Sequence, residues 1–261
     1  MEAINLTGKS AAVTGAAKGI GSAVVEVLAR SGARVHCLDI DELSLRAQVE
    51  SWSAQGLDVQ AHPTDLQSSS SVDAAFHSIA ISSPKLEILA NVAGVVRYGM
   101  LDKLPEEDWD FILDTNLKGA YLTIRRAVPL MRAAGRGSIV NVGSVQALAS
   151  QATVAAYSAS KGGLISLTRT VALDYAGEGI RCNCILPGSV ETPMLRQGAD
   201  LFFPDDPTAA MQSWGESHPL GFLSQPVDIA NVIVFLCSEY SRVITGAAVV
   251  ADAGLSSRLA V

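Results

Sequence analysis

The stretch Thr14-Gly15-Ala16-Ala17-Lys18-Gly19-Ile20-Gly21 decides the fold, through what stands on either side of it. KSAAVTG (9–15) is a short apolar run of strand type, and residues 20–30 behind the glycines have the pattern of a helix. Glycines at such a junction let the chain turn tightly and bring backbone amides against a pyrophosphate at the helix N-terminus. A glycine cluster alone is weak, and its plain reading is a turn. The strand before it and the helix after it supply the context that a dinucleotide-binding loop requires.

Outward from that loop, strands and helices alternate. ARVHCLD (33–39) reads as a second strand, followed by helix over 42–55, strand over 57–62, helix over 69–82 and the strand LEILANVAG (86–94). Pro105 opens a helix within its first turn, and one long helical stretch runs on through Asn116 to residue 134. Gly135 and Gly137 bracket a turn before the strand SIVNVGS (138–144). A helix over 153–177 ends at Gly177 and Gly179, and IRCNCILPG (180–188) is a strand. Residues 193–225 carry Pro, Gly and acidic residues with weak periodicity and read as an inserted lid. A helix over 226–238 and a strand over 246–251 close the chain. This alternation predicts an α/β protein with a doubly wound parallel sheet, a single Rossmann domain over 1–261 with a small lid at 193–225.

In such a sheet ligands sit outside the carboxyl ends of the strands, and the chemistry-bearing residues fall there. Asp39 ends the second strand about 20 residues past the glycines, where a carboxylate accepts from the adenosine ribose hydroxyls and repels a 2′-phosphate. Its plain reading is a strand-end or capping Asp. Lys18 pulls the other way, since a cation in the glycine loop would approach a 2′-phosphate. Asp39 prevails in this reading, because a buried carboxylate facing a phosphate is costly, so NAD is expected and NADP less so.

Tyr157-Ser158-Ala159-Ser160-Lys161 places a tyrosine and a lysine four apart on one helix face. A free phenol titrates near ~10, and a neighbouring ammonium favours the phenolate, which makes the pair a proton-transfer device. Ser144 lies thirteen residues before Tyr157, just past a strand, where its hydroxyl can hold a substrate oxygen. Tyr-x-x-x-Lys alone is common by chance; in order behind the glycine loop and Ser144 it is specific.

Taken together, these motifs resemble those of the short-chain dehydrogenase/reductase family, over nearly all of the chain. The family's glycine pattern is matched by Gly15, Gly19 and Gly21, with Ile20 between them. The resemblance implies Asn116, Ser144, Tyr157 and Lys161 as catalytic residues. It also implies Asp65 and Leu66 at the adenine, Pro187, Gly188, Val190 and Thr192 at the nicotinamide, and a homotetramer built on the long helices around Asn116 and Tyr157. Two departures stand out. The family's Asn-Asn-Ala-Gly is Asn91-Val92-Ala93-Gly94 here, which keeps Asn91, Ala93 and Gly94 beside the cofactor ribose. The usual Asp-Gly-Gly near the C-terminus is Asp252-Ala253-Gly254. The implied activity is hydride exchange between NAD(H) and a secondary alcohol or ketone, with Tyr157 as the acid/base and Asn116 holding a water that links Lys161 to solvent.

Gln146, Gln151 and Val154 flank the catalytic serine and tyrosine and make a partly polar wall, which leans the substrate toward a sugar or other polyol. Arg97 would meet an anionic substrate, against a plain reading as surface arginine. Trp214 is a ligand platform in the lid, against packing, and His218 reads as a solvated loop histidine. The rival enzyme reading is an NADPH-dependent ketone or 3-oxoacyl reductase. The non-enzyme rival is a silent nucleotide-binding scaffold, which would be expected to lack the tyrosine or the lysine.

Bulk properties exclude other classes. The 261 residues are 49% hydrophobic and 17% charged, enough for a sizeable core and against disorder. A net charge of −7 disfavours nucleic acid as a partner. The uncharged run 137–160 is broken by Asn141, Gln146, Gln151 and serines, so no membrane span is expected. Cys37, Cys182, Cys184 and Cys237 lack further ligands in a metal-site spacing; they read as buried free thiols, with no metal, in a reducing cytoplasm.

Overall fold

β1 (Ser10–Thr14) is buried along its whole length, as a strand covered on both faces must be. The computed structural model describes residues 4–257. Around β1 lie β2 (Arg34–Asp39), β3 (Val59–Pro63), β4 (Ile88–Asn91), β5 (Gly137–Val142), β6 (Ile180–Pro187) and β7 (Ala248–Ala251). All pair in parallel, in the order β3-β2-β1-β4-β5-β6-β7. The order reverses between β1 and β4, and the crevice at such a switch point is where this architecture binds ligands.

Alternate side chains of the strands feed two separate cores. Ala11, Val13, Val35 and Cys37 pack against α1 (Gly19–Arg30), α2 (Glu42–Ala54) and α9 (Pro226–Cys237). Ala12, Leu38 and Leu89 pack on the other face against α3 (Ser69–Ser82), α5 (Gly119–Ala134) and α6 (Ala155–Tyr175). A buried chain of hydrogen bonds stitches that second layer to the sheet. Thr123 Oγ1 donates to Asn91 Oδ1 (2.7 Å), Asn91 Nδ2 to Asn141 Oδ1 (2.9 Å), and Asn141 Nδ2 to Thr168 Oγ1 (2.9 Å). Cys182 and Cys184 both point to this layer. All four cysteines are free and buried, and burial pushes their thiols up, Cys182 to about 12 and Cys184 to about 11.

Three expectations are corrected. The long helix through Asn116 is two helices, α4 (Glu106–Leu113) and α5, joined by a π-turn at Asp114–Lys118. Residues 193–225, expected to be weakly periodic, hold two regular helices, α7 (Pro193–Phe202) and α8 (Pro207–Ser217). Each is announced by a cap-and-proline pair, Thr192 accepting from Leu195 N and Asp206 from Ala209 N, with Pro193 and Pro207 at the first helical position. His218 is buried, not solvated. Its Nδ1 lies 2.7 Å from the Trp214 carbonyl and its Nε2 accepts from Ser189 N at 3.2 Å, which fixes the ring's tautomer and ties the end of α8 to the end of β6. Among the described residues no helix is long and apolar enough to cross a membrane, and no three His, Cys, Asp or Glu side chains gather as metal ligands.

Candidate active site

A cleft of about 550 Å³ runs along the strand ends from the glycine loop to Tyr157. Its first half is shaped by backbone. A Cβ on Gly21 would meet the Gly15 carbonyl oxygen at 1.9 Å, and one on Gly15 would lie 2.8 Å from Ala93 Cα. Only glycine permits that path, and the space it leaves at the N-terminus of α1 suits a pyrophosphate. Thr14 Oγ1 accepts from both Val92 N and Ala93 N (3.0 and 3.1 Å), which clamps the β4 end beside the loop. The valine in place of the family's second asparagine therefore leaves this clamp, made through backbone amides, in place.

Asp39 is half-buried and fully engaged by the loop. Its Oδ2 accepts from Ala17 N and its Oδ1 from Asp41 N, both at 2.9 Å. Lys18 turns outward and pairs with Asp41 at 2.7 Å. Asp65 and Leu66 complete this end of the cleft, with Asp65 Oδ1 accepting from Gln67 N at 2.9 Å.

At the other end, four segments converge. Ser144 sits just past β5, its Oγ accepting from Gln146 N at 3.1 Å. Tyr157 and Lys161 project from the first turns of α6, with Lys161 Nζ 5.5 Å from the Tyr157 ring centre and donating to the Val142 carbonyl at 2.7 Å. Asn116 lies in the π-turn, a feature that recurs at functional sites. Its Oδ1 accepts from Val95 N (2.8 Å), and its Nδ2 donates to Val95 O (2.9 Å) and Ser160 Oγ (3.1 Å). Asn116 thus fastens the loop after β4 to α6. Gly94 keeps the approach open, since a Cβ there would lie 3.3 Å from Lys161 Nζ and 3.5 Å from Asn116 Oδ1.

Burial dominates the titration of the reactive pair. It pushes the Tyr157 phenol up to about 12, with the Ser144 hydroxyl pulling the other way, and it drops the Lys161 ammonium to about 8. At pH 7 the phenol is therefore neutral and the lysine still largely charged.

Pro187, Gly188, Val190 and Thr192 line the cleft past β6, and Gly188 packs closely on Asp252. Gln146 and Gln151 line it on the substrate side. Gln146 Oε1 accepts from Gln151 N at 2.9 Å, which turns the Gln146 amide NH₂ free of that bond. Four expected residues do not line the cleft: Asn116, bonded to Val95 and Ser160 as above, and Arg97, Trp214 and Asn91. Arg97 turns away, pairing with Asp108 at 3.5 Å and stacking 4.7 Å over the Phe111 ring. Trp214 packs edge-on against Phe203 within the lid. Asn91 spends its side chain on Thr123 and Asn141 beneath the floor, so it supports the site without facing it.

Sequence reading missed Tyr98, Phe111, Thr115, Met194, Leu195 and Leu255, all in the wall. Tyr98 meets lid residue Phe202 edge-on at 4.8 Å, and its backbone neighbour Gly99 donates to the Thr153 carbonyl at 2.9 Å. Tyr98 follows the Ala93-Gly94 pair closely enough to have been a candidate. Nothing in the sequence marks Leu255.

Residues 15–256 match the family model described as enoyl-(acyl carrier protein) reductase. The chain is 35% identical over 252 residues to dehydrogenase/reductase SDR family member 6 of Rattus norvegicus, covering 96% of this chain and 98% of that one. It is 34% identical to the 3-oxoacyl-[acyl-carrier-protein] reductase of Thermotoga maritima, covering 97% and 99%. The crystal structure of L-sorbose reductase from Gluconobacter frateurii, in complex with NADPH and L-sorbose, superposes with a TM-score of 0.94 at 30% identity, covering 98% of this chain and 99% of that one.

Proposed function

Since the chain belongs to the short-chain dehydrogenase/reductase family, and is with it an oxidoreductase that uses a nicotinamide dinucleotide on alcohols and ketones, we propose a narrower activity. It interconverts a secondary alcohol, with a lean to a sugar or other polyol, and its ketone, using NAD in preference to NADP and Tyr157 as the acid/base. The observation that carries this reading is the convergence of Ser144, Tyr157 and Lys161 at one end of a cleft whose other end is the glycine loop. When bound, the cofactor would supply or take the hydride of the carbinol carbon.

The protein's own residues do the rest. Ser144 Oγ holds the substrate oxygen. Tyr157 Oη receives the hydroxyl proton as the carbonyl forms, and returns it in reduction. Lys161, charged and anchored on Val142 O, stabilises the phenolate at the moment it exists. Asn116 holds Val95 and Ser160 in place, so that the loop and α6 keep their spacing. The polyol lean rests on the Gln146 amide and the Tyr98 hydroxyl at the substrate wall, together with the sugar bound in the similar reductase structure. NAD preference rests on Asp39. The same similar structure holds NADPH and the Thermotoga relative is a 3-oxoacyl reductase, so an NADPH-dependent reductase is the second reading. Titration with NADH and NADPH separates the two. By family, the protein assembles as a homotetramer; Tyr121 of α5 and Leu173 of α6 are exposed and available for such a contact.

Tyr157→Phe removes the proton carrier and little else. It is expected to bind NADH as the wild type does and to lose about 10²- to 10⁴-fold in kcat on any alcohol found by an NAD-reduction screen over sugars, polyols, hydroxy acids and hydroxysteroids. Wild-type turnover by this variant would remove Tyr157 from the mechanism.

A further inference from the structure

Lys18 is the only cation in the glycine loop, and it stands where a 2′-phosphate on the adenosine ribose would seek one. In the structure that charge is already taken. Lys18 Nζ donates to Asp41 Oδ2 at 2.7 Å, and Asp41 holds the ammonium above its ordinary pKa while its own carboxyl falls to about 2. Asp41 is itself fixed from two other sides. Its Oδ1 accepts from Ser44 N at 3.1 Å as the cap of α2, and its backbone N donates to Asp39 Oδ1 at 2.9 Å. Asp39 in turn takes Ala17 N, one residue before Lys18. The result is a closed ring, Ala17–Asp39–Asp41–Lys18, in which the loop's cation, itself in the wall of the cleft, is held to the N-cap of α2. Arg46, one turn into α2, offers no replacement, because Glu42 engages it at 2.8 Å.

We propose that Asp41 is a cofactor-specificity residue: it holds Lys18 away from a 2′-phosphate, so that the adenosine end rejects NADP through two carboxylates acting differently. Asp39 repels the phosphate directly, and Asp41 withholds the cation that would offset that repulsion. This rests on the NAD reading above for its biological sense, but it concerns a separate contact.

The test is a binding cycle followed by NADH and NADPH fluorescence, which needs no turnover. Asp41→Asn keeps the cap on Ser44 N, since asparagine caps helices as well as aspartate does, and Asp41→Ser is a second capping variant. Each should tighten NADPH by about two- to fivefold, the range expected when an exposed ion pair is released to a new partner, and change NADH by less than about 1.5-fold. In a Lys18→Met background the gain for NADPH should vanish. The proposal is overturned if both Asp41 variants leave NADPH affinity unchanged, or if the gain persists at full size without Lys18, which would mean plain removal of a negative charge. A wild type that binds NADPH more tightly than NADH is a different failure. It would sink the NAD reading, whereas the Asp41 assignment stands or falls on the cycle.

Discussion

The two halves of the sheet build their parts of the cleft by different means. On the β1–β3 side the shape comes from backbone: Gly15 and Gly19, both at positive φ, line the cleft, and side chains such as Asp39 bond to main-chain amides. On the β4–β7 side the shape comes from side chains brought together from the loop after β4, the π-turn, the end of β5, α6 and the lid. The two non-glycine residues at positive φ among those described, Thr153 (φ 67) and Ala253 (φ 52), both lie in that half. One half is relaxed and locally encoded. The other stores strain and depends on distant segments meeting, as expected where substrate chemistry is set.

The largest effect should come from attacking the backbone half. Gly21→Ala puts a methyl 1.9 Å from the Gly15 carbonyl, and neither main-chain segment can yield without moving the loop. NADH affinity should fall at least about 100-fold, with stability lost by about 3 kcal/mol in urea unfolding. If the variant binds NADH normally, the loop is not the rigid element described here.

Acid should also act first on this half. His36 and His62 face each other across β2 and β3, with Nδ1 to Nε2 at 3.0 Å, and His36 Nε2 lies 2.9 Å from Ser83 Oγ. Burial, then His62 and Arg34, lowers His36 from 6.5 to about 4, with Asp58 opposing. The unfolded chain therefore takes up a proton below pH 6.5 that the fold refuses until about pH 4. Stability is full above 6.5 and declines between those values, by up to about 3 kcal/mol. Urea unfolding at pH 7, 5.5 and 4.5 reads this slope, and His36→Gln should flatten it.

The glycine loop, Asp39 and the Tyr157–Lys161 spacing were legible because each is a short stretch whose neighbours in sequence are its neighbours in space. The lid was half legible: Thr192-Pro193 and Asp206-Pro207 are helix starts, overlooked because the helices behind them are short and weakly periodic. The substrate wall was not legible. Tyr98, Phe111 and Leu255 come from distant segments to line one cleft, and only the fold says so. Arg97 and Trp214 failed for the converse reason, since position near a motif does not fix which way a side chain turns.

The smallest effect should be found at the strained positions. Ala253→Gly removes a Cβ from a left-handed residue, and Thr153→Asn replaces a β-branched one. Each should raise stability by about 0.5–1 kcal/mol. KM should be unchanged in both, because the anchor of Gly99 beside Tyr98 is the backbone carbonyl of residue 153, which asparagine keeps. Equal and negligible changes in both variants would remove strain from the contrast between the halves.

The π-turn at Asp114–Lys118 has a consequence for how this helix tolerates change in length. A π-turn accommodates one residue more than the regular spiral, and Asn116 sits inside that surplus. Excising a single residue from 114–118 would let α4 and α5 merge into one uninterrupted rod, a gain in regularity. The wide turn absorbs that residue's advance of about 100°, so α4 and α5 would keep the faces they now present. What would go is the irregular backbone from which Asn116 reaches Val95 and Ser160. The helix can be made more perfect only at the expense of the segment that ties it to its neighbours.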